Sequence, residues 1–192
     1  MSQQFSLFGA AAVEPTVADL GGLLLAGGHW VRGGAGARLS IVVSARWRAE
    51  ALAAEFAQRR VADPDNAVAP AEDGWTARTG FSPELLPAAG RWSRGANEAP
   101  PPDFALTPGG LRLWVLATGR PTESGYLLGT ARPDDSRHLT AGAQLSRYGL
   151  AAVSVARGGP GWRITSARRV RRLCELLGAP PPGGEQDWPQ LS

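Results

Sequence analysis

Residue types that do chemistry are few in this chain, and their spacing gives most of them no partner. The two histidines, His29 and His138, lie far apart, so they make no zinc-type ligand set. The single cysteine, Cys174, has nothing to pair with, and with Val170, Leu173 and Leu177 it falls on the apolar side of a helix. Serine, histidine and aspartate are scattered without a nucleophile elbow. Gly33-Gly34-Ala35-Gly36 and Gly158-Gly159-Pro160-Gly161 are glycine-rich, but each falls between two strand-like runs and reads as a hairpin turn. A phosphate loop needs a strand before it, a helix after it and a lysine, and all 20 basic side chains here are arginine. Asp134-Asp135 precede a helix start at Ser136 and read as a cap or a solvated pair. No catalytic residue, metal or cofactor is expected.

Arginine is the remaining chemistry. The net charge is +3 at neutral pH, and it is unevenly placed. Residues 1–96 hold nine arginines and nine acids, whereas residues 105–182 hold eleven arginines and four acids. Arg157, Arg163, Arg168, Arg169, Arg171 and Arg172 form a cluster. A guanidinium grips phosphate with two parallel hydrogen bonds, so such a cluster suits nucleic acid. A GC-rich coding bias yields the same arginine-for-lysine composition, and both readings stand. Trp30, Trp75 and Trp162, on strands near arginines, could stack on bases or fill the core.

A second motif carries no charge. Gln4-Phe5-Ser6-Leu7-Phe8 precedes Gly9-Ala10-Ala11-Ala12-Val13-Glu14-Pro15. Two adjacent apolar anchors on a small-residue tether can fill a partner's pocket at modest ordering cost. They can equally dock on the domain they lead. The pattern resembles the pentapeptide by which bacterial proteins bind the DNA polymerase sliding clamp (its beta subunit), usually Gln-Leu-Ser/Asp-Leu-Phe. Phe5 stands where leucine is usual. The resemblance implies that the Gln4 amide makes a hydrogen bond at one subsite while Leu7 and Phe8 fill an apolar pocket.

These features must be carried by a body of ordinary globular composition, 43% hydrophobic and 19% charged over 192 residues. No run of about 18 apolar residues exists, so no membrane span is expected. The opening Met1-Ser2-Gln3-Gln4 lacks a basic n-region and an apolar h-region, which reads as a cytoplasmic chain.

From Thr16 the chain alternates helices and strands. Thr16 caps an apolar helix that stops at Gly27-Gly28; His29–Arg32 and Arg38–Ser44 make a hairpin; Arg46–Arg60 is amphipathic. Trp75–Thr79 reads as a strand behind a polar stretch, and Ser82-Pro83 opens a short helix. The second half repeats the pattern. It has a Thr107-capped helix to Gly119, a strand Gly125–Thr130 and a helix Ser136–Tyr148 with Leu139, Ala143, Leu145 and Tyr148 inward. A hairpin (Ala151–Val155, Trp162–Thr165) and a Ser166-capped helix to Leu177 follow. The divisions expected are a flexible tail 1–15, a first half 16–92, a linker 93–106 around Pro100-Pro101-Pro102, a second half 107–179, and a mobile tail 180–192.

Each half thus reads α-β-β-α-β-β-α, and Gly28 and Gly119 lie 91 residues apart, as do Leu85 and Leu176. This α+β pseudo-symmetric duplication resembles the LAGLIDADG homing-endonuclease fold, the motif falling on Leu20–Gly28 and Leu111–Gly119. The resemblance implies two motif helices side by side at a pseudo-dyad and two saddle-shaped sheets along DNA. Gly22 and Ala26 suit close helix packing; Leu113, at the second-half position matching Gly22, requires a different contact. The family's metal-binding acids stand at the eighth motif position, here Gly27 and Thr118, and neither is a carboxylate. Asp19 falls at the other end of its helix. The pattern is similar to the inactive domain of WhiA-like actinobacterial regulators, although no helix-turn-helix domain fits after Gly178. The expectation is a non-catalytic DNA replication or repair accessory protein. It would hold the sliding clamp through its N-terminal peptide and contact DNA or a polymerase-associated protein through the duplicated domain. The alternatives are a WhiA-like DNA-binding regulator and an endonuclease with an unorthodox metal site.

Overall fold

The structure is a computed structural model that describes residues 13–34, 36–95, 97–132, 135–156 and 159–190. Its two halves have one topology. The first runs α1 (Gly21–Leu25), β1 (His29–Gly33), β2 (Gly36–Val43), α2 (Arg46–Gln58), β3 (Val68–Ala71), β4 (Gly74–Arg78) and α3 (Leu86–Trp92). A two-rung hairpin, β5 (Ser93–Arg94) with β6 (Asn97–Glu98), connects to the second half. That half runs α4 (Pro108–Thr118), β7 (Arg120–Thr122), β8 (Gly125–Gly129), α5 (Ser136–Arg147), β9 (Val153–Val155), β10 (Gly161–Ile164) and α6 (Ala167–Leu177). The sheets are antiparallel, in the orders β1-β2-β4-β3 and β7-β8-β10-β9.

α4 reads Leu111, Leu113, Trp114, Val115, Leu116, Ala117 with only Pro108, Arg112 and Thr118 partly open, because it is surrounded by α1, α2, α6 and β8. An apolar helix without a polar face belongs at the centre of a core. α2 turns Ala49, Leu52 and Phe56 inward, and α6 turns Leu173, Leu176 and Leu177 inward. The helices cover one face of each sheet and leave the other open.

α1 and α4 meet almost backbone to backbone. A Cβ on Gly22 would stand 1.8 Å from the Gly110 carbonyl oxygen, so the tight contact is glycine to glycine one turn above Leu113. This is how the helices meet although Leu113 is large.

A chain of alternating charges fastens the N-terminal end of this pair. Asp19 accepts hydrogen bonds from the Thr16 amide (3.1 Å) and the Thr107 hydroxyl (2.6 Å) and pairs with Arg59 at 2.8 Å. Arg59 also pairs with Glu55 (2.7 Å), and Glu55 with Arg112 (2.9 Å). Removing one member strands buried charge. Arg59→Met is expected to cost about 3–5 kcal/mol in urea unfolding, against at most about 1 kcal/mol for Glu50→Ala, whose pair with Arg46 is solvated.

Several local expectations are corrected. The Thr16–Gly28 helix is a 3-10 turn (Val17–Leu20) followed by the five-residue α1, since Gly21-Gly22 favour no long helix. β3 lies in the stretch read as a polar lead, and β7 lies between the helix to Gly119 and the strand from Gly125, where the sequence suggests no element; both are short edge strands whose prolines, Pro70 and Pro121, obscure the pattern. On α5 the inward residues are His138, Ala141, Gln144 and Leu145, while Leu139 is 69% exposed and Ala143 is open. The linker carries the hairpin and packs through Phe104 on Trp92, edge to face at 5.2 Å. Residues 180–190 lie against the body rather than off it. Trp188 is buried, donates to the Gly178 carbonyl (3.0 Å) and sits beneath Arg112. One large aromatic outweighs the Pro/Gly-rich composition that suggested mobility.

Candidate nucleic-acid interface

The open faces of the sheets follow from strand register, because cross-strand partners share a face. In the first sheet His29 stands opposite Ser40, and Ser40 opposite Arg78. Val31 stands opposite Arg38, and Val42 opposite Thr76. In the second sheet Arg120 stands opposite Leu127, Leu127 opposite Arg163, and Arg163 opposite Val153. The alternate positions, Leu39, Ile41, Ala77, Tyr126, Leu128 and Ile164, are buried beneath the helices.

The two outward rows correspond. His29 and Arg120 each open the first strand of their half, and Arg78 and Arg163 lie on the same rung of their ladders. Arg38, Arg78, Arg120 and Arg163 therefore face outward, and no acid stands among the outward strand residues described. Val42 and Val153, 52% and 59% exposed, are also on these faces.

The arginines are held rather than loose. Arg38 lies over the Phe81 ring at 4.6 Å, Arg78 donates to the Asn66 carbonyl (2.7 Å), and Arg163 donates to the Ser124 hydroxyl (3.2 Å). The Nε–H groups of Arg38 and Arg163 are buried without an acceptor. Stem contacts that fix a guanidinium lower the entropy lost when it grips an anion.

The sheets meet at a cleft of about 240 Å³ lined by Val42, Ser44, Thr118, Arg120, Leu127 and Gly129. Thr118 lies at the end of α4, its hydroxyl shared between the carbonyls of Trp114 (3.3 Å) and Gly129 (3.2 Å). Gly27 follows α1 at a φ of +106°, where L side chains rarely fit. Neither acid position of the motif has a carboxylate. Near Thr118 is a cation: Arg48 of α2, 4% exposed, donates to the carbonyls of Leu116 (2.8 Å) and Gly119 (2.6 Å) and pairs with Asp187 (3.0 Å). Burial pulls its pKa down from the ordinary range, and Asp187 opposes that shift. A guanidinium in this place satisfies and neutralises the carbonyls at the C-terminal end of α4. Among the described residues no His, Cys, Asp and Glu side chains group as a metal site.

The arginine cluster read from the sequence is divided by the fold. Arg163 is on the outward sheet face. Arg168, Arg169, Arg171 and Arg172 are exposed on α6, whose opposite side packs on α4 and β8, so they project from the helical layer. There Arg169 donates to the Ala151 carbonyl (3.0 Å) and Arg172 to that of Tyr148 (3.3 Å). Arg157 and the Gln4, Phe5, Ser6, Leu7, Phe8 motif lie outside the described residues. Arg38, Arg78 and Arg120 were missed, though Arg38-Leu39-Ser40-Ile41-Val42-Val43 has the alternation that sends Arg38 outward.

The three strand tryptophans are not a stacking platform. Trp30, Trp75 and Trp162 stand opposite Leu39, Val43 and Leu128, on the covered faces. Trp162 stacks on the buried His138 (4.9 Å) and donates to its carbonyl. The His138 ring contacts the hydroxyls of Thr130 (2.8 Å) and Ser154 (2.9 Å), and burial lowers its pKa. Cys174 is half-buried, its thiol donating to the Pro189 carbonyl at 3.1 Å, and burial raises its pKa.

No family model matches the sequence, and no curated protein matches it. Among solved structures, the chain is similar to the homing endonuclease I-WcaI bound to its DNA recognition sequence. The TM-score is 0.58 at 14% identity, over 91% of this chain and 83% of that one. The likeness shows the fold: a LAGLIDADG-like α+β duplication.

Proposed function

We propose that this protein binds duplex DNA along the open faces of its two sheets without cutting it, and that its N-terminal peptide tethers it to the sliding clamp. One observation carries the DNA reading: four outward arginines with no acid among the described outward strand residues, on a fold with a solved neighbour bound to DNA. Gly27 and Thr118, which stand at the two acid positions of the motif, support the absence of cleavage. Binding of this kind is read through backbone phosphates and depends on salt. About four phosphate contacts imply a log–log salt slope near −3.6, or about a hundredfold loss of affinity between 50 and 200 mM salt. Anisotropy with a labelled duplex measures this. No binding at 50 mM salt, or a flat salt response, removes the reading. Nicking of plasmid DNA that requires Mg²⁺ would instead favour the endonuclease alternative.

The clamp reading rests on the pentapeptide. A weak peptide contact and weak phosphate contacts reinforce each other through effective concentration. Leu7→Ala with Phe8→Ala is expected to abolish calorimetric clamp binding while the circular dichroism spectrum stays unchanged. Undiminished heat from the double variant would end the clamp reading and leave the DNA reading intact.

A further inference from the structure

α6 carries its charges the wrong way round for a helix. Arg168 and Arg169 stand in its first turn and Glu175 in its last, with no acid in the first turn and no base in the last. The backbone dipole is positive at the first end, so arginine there and glutamate at the far end both cost stability. The arginines also repel one another. Arg168 lies three and four residues before Arg171 and Arg172, and Arg169 three before Arg172, spacings that bring like charges side by side. Arg147, exposed in the last turn of α5, adds a fifth charge, because Arg172 reaches the carbonyl of the adjoining Tyr148. The ion pairs among the described residues belong to other arginines, and Glu175 pairs with neither Arg171 nor Arg172. An anion laid across this surface would relieve the dipole penalty and the mutual repulsion together.

The surroundings of the five arginines select the anion. Leu173, Leu176 and Leu177 turn into the core and Val170 is half-buried, so the apolar side chains of α6 give a peptide no anchor. The ring beside the arginines, Tyr148, is half-buried with its hydroxyl donating to the Leu106 carbonyl (2.7 Å), so unpaired bases gain no stacking platform. A projecting helix with arginines and neither anchor nor platform suits the regular phosphate backbone of a duplex, whatever its sequence.

We propose that α6 and the end of α5 hold a second duplex, so that one molecule bridges two segments of DNA. Bridging rests on the sheet-face reading for its first duplex. The two surfaces lie on opposite sides of the second sheet, since α6 packs on α4 and β8 beneath the covered face, and a duplex on one leaves the other clear. With about three phosphates engaged, the salt slope of the second site is near −2.7, an affinity loss of about fortyfold between 50 and 200 mM salt.

The test is capture. Protein is loaded on an immobilised duplex at 50 mM salt, free protein is washed away, and a fluorescent duplex of unrelated sequence is added. The wild type should retain the second duplex and release most of it at 200 mM salt. Arg168 and Arg171 make no hydrogen bond among the described residues, so Arg168→Glu with Arg171→Glu should keep the fold and its melting temperature. That variant should lower capture at least about tenfold while loading on the first duplex changes less than about threefold. Sedimentation should find one protein with two duplexes. Two proteins with two duplexes, or undiminished capture by the variant, overturns the proposal. Binding of a polyglutamate peptide that the variant abolishes, without capture of a duplex, overturns it in favour of an acidic protein partner. A wild type that loads but does not capture ends bridging alone. A variant that no longer loads ends the sheet-face reading, and bridging with it.

Discussion

Gly22→Val should leave little folded protein. The new Cβ alone would lie 1.8 Å from the Gly110 carbonyl oxygen and 2.5 Å from its carbon, atoms of a backbone that cannot rotate aside as a side chain can. Relief requires α1 and α4 to separate, and both helices are buried along their length. Separation opens the centre of the core rather than its edge, and the contacts of Leu23, Leu24, Leu111 and Trp114 are lost together. A cost of at least about 4 kcal/mol is expected, a large share of the roughly 5–15 kcal/mol that holds a domain of ordinary stability. Thermal melting should show a drop of about 10 °C or more, or no cooperative transition. Gly90→Ala is the internal contrast. Gly90 lies within α3 with nothing within 4 Å of the added Cβ, so alanine should stabilise by about 0.5–1 kcal/mol. A wild-type-like melt for Gly22→Val would mean that the helices do not meet at this glycine pair.

Arg78→Glu with Arg163→Glu should remove most DNA affinity. The two residues occupy one ladder position in each half, so the double change strikes both arms of the surface together. Each loss removes a charge-assisted contact of about 2 kcal/mol, and the introduced carboxylates add repulsion. A fall of about 10²–10³-fold in anisotropy at 50 mM salt is expected, with the salt slope shallower by about two. Both side chains are partly solvent-facing, so the melting temperature should hold within a few degrees. Arg168→Glu with Arg171→Glu on α6 is the comparison, and less than about a threefold change is expected from charges on the other layer. The reverse pattern would move the DNA surface to α6.

The element order was legible because amphipathic periods and cap residues agree over most of the chain. Thr107 ahead of Pro108, Ser82 ahead of Pro83 and Gly178 after Leu177 mark ends that the structure keeps. Edge strands with proline were not legible, since Val68–Ala71 and Arg120–Thr122 are too short to show alternation. The place of Trp188 was hidden for another reason: composition describes a segment's average, and a single buried indole decides where that segment lies. The candidate site suffered most. Charge counted along the sequence gathers six arginines between Arg157 and Arg172, whereas charge counted by face gathers Arg38, Arg78, Arg120 and Arg163 from both halves. Only cross-strand register makes the second grouping, and register is set by pairings distant in sequence.

The charged chain that begins at Asp19 gives the duplication a direction. Displaced by the 91-residue repeat, Asp19 falls on Gly110 and Gly22 on Leu113. The hydroxyl that reaches Asp19 belongs to Thr107, and a Cβ on Gly109 would be 2.4 Å from its carboxylate. Each half thus supplies what the other lacks: one the carboxylate, the other the space to receive it. Two copies of the first half would set one aspartate against another, and two copies of the second would leave a hollow where the carboxylate should be. What began as a repeat has become a matched pair of unlike parts, and neither part could now replace its twin.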